Sequence, residues 1–178
     1  MNIFYLSKKA SRCARWHCDK HVVKMILETA QLLYTAHWCT GDPDFSSAPK
    51  RLTGEPGYQS IRNANHPSAI WTRASLLHYL WLANLGLALC QEYRHRFKNR
   101  MHACEEHIFW LYAHPPALEN NGWAQPPQAM PDEYRRGDSV AAYREYYRKA
   151  KARMLTYTAR SMPHWVRGTQ ASPSPPAL

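Results

Sequence analysis

Apolar positions recur at helical spacing over four long stretches of the chain, and this pattern predicts an all-α fold in a single domain. After a short apolar opening from Met1 to Leu6, with Ser7 or Ser11 as N-cap, the first long helix runs to about Trp38. From Thr40 to Asn65 the chain turns to Gly, Pro, Asp and Ser and reads as a long loop, a length that is usually functional. A second long helix opens at Pro67, a favoured first-turn residue, and its apolar run to Phe97 gives it a central position. A third runs from about Ala103 to Ala113 and stops at Pro115 and Pro116, and the segment from Trp123 to Tyr134 is too rich in proline for helix or central strand. The last helix opens after Gly137 with Asp138 or Ser139 as cap and runs to about Thr158. Residues 1–167 form the domain, and the Pro- and Ser-rich tail 168–178 is expected to be disordered.

Within the first helix the polar positions gather. At about 100° per residue, His17, His21, Lys24, Glu28 and Thr35 fall within an arc of about 60°, with Lys20 and Gln31 at its margin. Apolar Val22, Met25, Ile26, Ala30 and Leu33 cover most of the remaining circumference, so the helix packs on several sides and its titratable groups look into a cleft. Imidazole, ammonium and carboxylate gathered in one place make His17, His21, Lys24, Glu28 and neighbouring Asp19 the candidate catalytic groups. The plainer alternative is a surface helix with an ordinary i,i+4 Lys24–Glu28 bridge and two solvated histidines.

Charge narrows the class of partner. A formal net charge of +10 points to a polyanion, with nucleic acid favoured over membrane. The chain shows neither an apolar run of spanning length nor the apolar core of a signal peptide, and a cytoplasmic location is expected. Five cysteines, odd in number and scattered without a C-x-x-C pair, read as reduced thiols and speak against a structural zinc finger. Seven tryptophans and eleven tyrosines exceed what packing alone asks of this length, and the surplus suits stacking on bases or sugars. On the last helix Arg144, Arg148 and Lys151 recur along one face as candidate phosphate contacts, the alternative being a solvated basic face.

Three segments carry a family resemblance: Met1-Asn-Ile-Phe-Tyr-Leu6 leading into Ala14-Arg-Trp-His17, His66-Pro-Ser-Ala-Ile-Trp-Thr-Arg73 with its run to Glu92-Tyr-Arg-His-Arg-Phe97, and Met162-Pro-His-Trp165. Together they resemble the pyrimidine-dimer DNA glycosylase family of compact helical proteins. The resemblance implies base excision; double-stranded DNA is the expected partner, and a monomer without a cofactor or metal is the expected form. An N-terminal α-amine attacks the sugar C1′, a helix carboxylate assists, and the resulting imine permits strand cleavage. An amine with a pKa near 8 is partly unprotonated at neutral pH, and a carboxylate beside it stabilises positive charge growing on the sugar.

Glu28 is the carboxylate that the stripe offers, whereas a direct register sets Lys24 at the family's acid position. Asn2 is bulky enough that Met1 is expected to stay, which leaves two routes open: an α-amine one residue out of register, or a water activated by Glu28 or Asp19. Hydrolysis by water is the expectation. His17, His21 and Lys24 then contact the sugar-phosphate or the departing base, with Asn2 and Lys20 beside the substrate. Asn65 and His66 read the base edge and Arg73 takes a phosphate. An extruded nucleotide needs a pocket and a wedge, for which Trp123 and the segment Gln125–Met130, with Gln125 and Gln128, are candidates, and Trp165 is a candidate stacking residue. The same lineage extends the expected substrates from ultraviolet dimers to bulky modified pyrimidines, such as glucosylated hydroxymethylcytosine in anti-phage defence.

Two other classes compete. A metal-dependent hydrolase would use His17 and His21 one turn apart, with Cys18 nearby and His66 as third ligand, but Cys18 projects about 100° away on the helix and no Glu follows His17. A non-enzymatic nucleic-acid-binding protein needs only charge and aromatic rings, and has no use for a carboxylate in a polar stripe on an apolar helix.

Overall fold

A computed structural model of the chain describes residues 2–41, 43–55, 57 and 63–167. Met1 and the 168–178 tail, for which expectations were stated above, lie outside the described residues. Among the described residues seven α-helices follow one another: α1 (Ala10–Trp16), α2 (Asp19–Thr40), α3 (Pro67–Ala74), α4 (Leu76–Arg96), α5 (Glu105–Ala113), α6 (Ser139–Ala150) and α7 (His164–Arg167). There is no strand among the described residues, so the fold is all-α. None of the described helices is long and apolar enough to cross a membrane.

Helix α4 is the centre of the molecule, with α1, α2, α3 and α5 packed around it. Its Gly86 sets the spacing, since a Cβ there would lie 3.0 Å from Ile108 on α5 and from Thr29 on α2. The opening segment Ile3–Leu6 is buried as a non-helical strip whose Phe4 ring packs on Tyr143 and Tyr147 of α6. Each large side chain buried this way contributes roughly 1.5–3 kcal/mol, which fixes the start of the chain firmly against the helices.

Two of the expected long helices are each broken in two. The first breaks at His17 and Cys18, both in extended backbone. The carbonyls stranded at the end of α1 are taken by a side chain from far along the sequence: the fully buried Arg96 guanidinium donates to Arg15 O at 2.9 Å and His17 O at 2.8 Å. The second breaks at Ser75, whose hydroxyl accepts the Leu77 N–H at 3.3 Å and so caps α4 from inside an otherwise apolar run. The last long helix stops at Ala150, short of the expected Thr158, and gives way to a 3-10 turn over Ala152–Met154.

The Pro-rich segment has no helix before Asp132, yet it is anchored along its length. Trp71 Nε1 donates to Ala124 O at 2.9 Å and the Ala124 N–H donates to His78 Nε2 at 2.8 Å. Ala129 then meets α6 and the start of the chain, which brings three distant parts of the sequence to one place.

Candidate active site

The buried opening strip delivers Asn2 to the middle of α2. The Asn2 main-chain N–H donates to Glu28 Oε2 at 2.8 Å, and Lys24 Nζ lies 3.2 Å from Glu28 Oε1. The Glu28 side chain is 11% exposed and that of Lys24 is 67% exposed, so the carboxylate sits at the floor of the site with the ammonium at its mouth. Lys24 and Glu28 come together because they are one helical turn apart, whereas Asn2 reaches them only through tertiary packing. Each carboxylate oxygen keeps a lone pair beyond its one donor, enough to accept a water or face an electron-poor carbon.

Asn2 is itself held by its side chain. Its Nδ2 donates to Ala129 O at 3.0 Å and its Oδ1 accepts the Ile3 N–H at 2.8 Å. The Tyr143 hydroxyl lies 2.7 Å from both Asn2 Oδ1 and Pro127 O and accepts the Ala129 N–H at 3.2 Å. With one proton to give, this hydroxyl donates to one of the two oxygens and locks the strip to the Pro-rich segment. An open groove of about 540 Å³ begins at Ala129, lined also by Pro67, Pro127, Arg135 and Arg136. His66, immediately before Pro67, caps α3 by accepting the Ser68 N–H at 3.1 Å. Burial lowers the His66 pKa, and the charge of Glu28 opposes that shift.

The expected convergence of the whole polar stripe is corrected by the helix break and by burial. His17 lies on the linker before α2, fully buried, with Nδ1 donating to Cys13 O at 2.8 Å and Nε2 left without a partner. His21 stacks on Phe4 with ring centroids 4.2 Å apart, and its Nδ1 is hydrogen-bonded to the Tyr147 hydroxyl. Burial drives the pKa of His17 down to about 4 and that of His21 to about 3, so both rings are neutral parts of an aromatic core. Thr35 is buried and bonds back to Gln31 O at 2.7 Å. Asp19 is engaged elsewhere: its carboxylate accepts the Thr158 N–H at 2.9 Å and the Thr158 hydroxyl at 2.8 Å and meets Arg96 at 3.1 Å. Among the described residues no three His, Cys, Asp or Glu side chains are grouped to hold a metal ion, and His17 and His21 spend their Nδ1 atoms on protein partners.

Several expected DNA contacts are engaged inside the protein. Arg73 donates to Ala64 O at 2.6 Å, and Arg144 donates to Leu6 O at 3.0 Å while its guanidinium lies over the rings of Trp16 and Trp165. Trp165 packs edge-on against Trp16 at 5.9 Å, so its ring is part of the core margin. Arg148 is half-buried with Nε unpartnered, and Lys151 lies 4.9 Å over the Tyr146 ring. Gln125 accepts the Ser139 N–H, and Gln128 both accepts the Arg136 N–H and donates to Arg136 O, so both amides brace the Pro-rich segment. The Trp123 ring rests on Trp71, His78 and Trp81 instead of projecting as a wedge. Lys20 and Asn65 are exposed. Tyr143, which positions Asn2, was missed by the sequence reading, and Ala129 was covered only as part of the Gln125–Met130 segment, with no role toward Asn2. Tyr143 lies on the apolar stripe of α6 and reads as core, and a carbonyl has no sequence signal at all.

Asn2, Lys24, Glu28 and His66 thus fall within the first two fifths of the chain, and comparison with known families covers that part. A family model described as pyrimidine dimer DNA glycosylase matches residues 1–105, more than half of the sequence. The chain belongs to this family. Searches of curated proteins and of solved structures gave no match. Family membership makes DNA the substrate and base excision the class of activity. The groove-lining residues Pro127, Ala129, Arg135 and Arg136, together with Tyr143, lie beyond the matched span.

Proposed function

We propose that this glycosylase acts as a monomer on duplex DNA and breaks the N-glycosidic bond of a dimerised pyrimidine, with Glu28 as the carboxylate at the reacting sugar. The observation that carries this reading is the Glu28 carboxylate held between Lys24 Nζ and the N–H of Asn2, whose side chain reaches Ala129 on the wall of an open groove. As the base departs with the bonding electrons, C1′ gains positive charge, and a fixed carboxylate stabilises that charge without reorganisation. A water then bonds to C1′ through its oxygen and passes its proton to Glu28, while the exposed Lys24 ammonium favours departure of the base as an anion. His66, which precedes the groove-lining Pro67, contacts the substrate, and Lys20 and Asn65 approach the strand.

The same 2.8 Å contact favours a second route. If the mature chain begins at Asn2, the nitrogen on Glu28 is an α-amine; it bonds to C1′ once the base has left, gives a proton to Glu28, and forms an imine as the C1′–O4′ bond breaks and O4′ takes that proton. Incubation with duplexes containing an ultraviolet dimer, uracil, hydroxymethylcytosine or its glucosylated form separates these outcomes. Because the cyclobutane ring tethers an excised base to its neighbour, alkali-labile abasic sites are scored for the dimer, and released base by mass spectrometry for the others. Abasic sites in the dimer duplex without a borohydride-trapped adduct fit hydrolysis, and a trapped adduct fits the amine route. Abasic sites only with the glucosylated base would replace the dimer as substrate, and their absence from every duplex overturns the reading.

A further inference from the structure

We propose that the pocket formed by Arg12, Arg15, Trp16 and Arg160 is a second, outlying phosphate subsite that takes a backbone phosphodiester of the DNA away from the reacting sugar. The inference rests on the DNA reading above and adds to it a site built from other residues. The pocket encloses about 460 Å³, and Ala159 and Ser161 complete its lining.

Its charge is uncompensated. Beneath the pocket, Glu92 and Asp19 face Arg96 and Arg160, two carboxylates against two guanidinium groups. Arg12 and Arg15 are exposed and have no acid in ion-pair contact among the described residues, so the pocket carries two unmatched positive charges. An anion of one or two charges is the complementary ligand, and guanidinium forks match phosphate oxygens in geometry as well as charge.

The pocket is also built rather than merely lined. Arg160 is pinned to Glu92 through Nε at 3.0 Å and Nη2 at 2.7 Å, which fixes its plane and leaves Nη1 outside the pair. The residue before it, Ala159, holds a left-handed backbone at φ 54°, and its carbonyl accepts from His95 Nε2 at 3.1 Å. A residue with a Cβ adopts that conformation only where its surroundings enforce it, and here it aims Arg160 and Ser161 into the pocket. The Trp16 wall is stiffened from behind by Arg144, 4.7 Å over its ring, and Arg12 lies 5.9 Å over the same ring.

The distance suits DNA. From Asn2 to Leu6 the chain spans at most ~14 Å, and with the contacts of Asn2 on Glu28 and of Arg144 on Leu6 O and the Trp16 ring this puts the pocket within ~28 Å of Glu28. At ~3.4 Å of rise per nucleotide, one strand running from the reacting sugar reaches it within about eight nucleotides.

The test is the salt dependence of binding to a long undamaged duplex by the wild-type chain and by the Arg12→Ala/Arg15→Ala variant, which alters exposed side chains only. The expected result is a log–log salt slope shallower by about 0.9 per lost phosphate contact, with about tenfold weaker binding per contact at 0.1 M salt. A duplex too short to reach the pocket should show a much smaller difference between the two proteins. Equal slopes and affinities on the long duplex, with the wild type binding normally, overturn the subsite and leave the glycosylase reading standing. Wild-type protein that does not bind duplex DNA overturns both. Inorganic phosphate bound by wild type and not by the variant, with unchanged DNA slopes, assigns the pocket to a free phosphate and overturns its role on DNA.

Discussion

Glu28 and His21 lie on the same face of α2 two turns apart, yet they do opposite work. The difference is what covers them: the opening strip presents a main-chain N–H to Glu28 and an aromatic ring to His21. The Lys24–Glu28 pair was legible in the sequence, because its i,i+4 spacing is local. The fate of the histidines was not, since their burial depends on Phe4, Tyr143 and Tyr147 arriving from both ends of the chain. Their burial has a pH consequence. The unfolded chain protonates histidine below about pH 6.5, whereas folded His17, His21 and His37 resist protonation down to about 4, 3 and 4. Stability is therefore full above pH 6.5 and falls as the pH drops below it, by up to ~1.4 kcal/mol per pH unit for each histidine. Urea midpoints at pH 7 and pH 5 check this, and equal midpoints contradict it. At Tyr143, loss of the hydroxyl in Tyr143→Phe leaves the Ala129 N–H without its acceptor and removes the donor shared by Asn2 Oδ1 and Pro127 O. The expected cost is about 1–3 kcal/mol in denaturant melts, with a slower excision rate because Asn2 no longer holds Glu28 in place.

At the scale of the helices, the positions of four elements followed from apolar spacing, proline and capping residues, and the two breaks did not. Ser75 is the one polar side chain within the apolar run that caps α4 at its actual start, a signal overridden by the hydrophobicity on either side. The break at His17 and Cys18 has no local signal, because the group that stabilises it, Arg96, lies 79 residues away from His17. Removing that group in Arg96→Met leaves the carbonyls of Arg15 and His17 unpaired and takes from the buried Glu92 one of its two guanidinium partners. The expected loss is about 3–5 kcal/mol, with little rescue by Arg96→Lys, since an ammonium cannot reproduce the fork. Gly86→Ala should cost about 1–3 kcal/mol through collision with Ile108 and Thr29. Thermal melts measure both, and a Gly86→Ala protein as stable as wild type contradicts the close packing of α4 on α2 and α5.

For the molecule as a whole, composition gave the sign of the partner and the resemblance gave its class, while the placement of positive charge came only from the fold. The basic face expected on the last helix is largely spent on core rings and carbonyls, and two cations without an acid partner among the described residues, Arg12 and Arg15, line a pocket from α1 instead. The family match ends at residue 105, so the groove and its Tyr143 brace are features of this chain's second part joined to a family-defined start. What unites the two parts is Asn2, which touches Glu28 on one side and Ala129 on the other. The most direct measurement is the single-turnover rate of abasic-site formation in a dimer-containing duplex by wild type and by Glu28→Gln, alongside the affinity of each for the same duplex. The expected result is a rate lower by about 10²–10³-fold in the variant with duplex affinity retained. Equal rates would show that another group breaks the bond, and would contradict the assignment of Glu28 as the centre of the site.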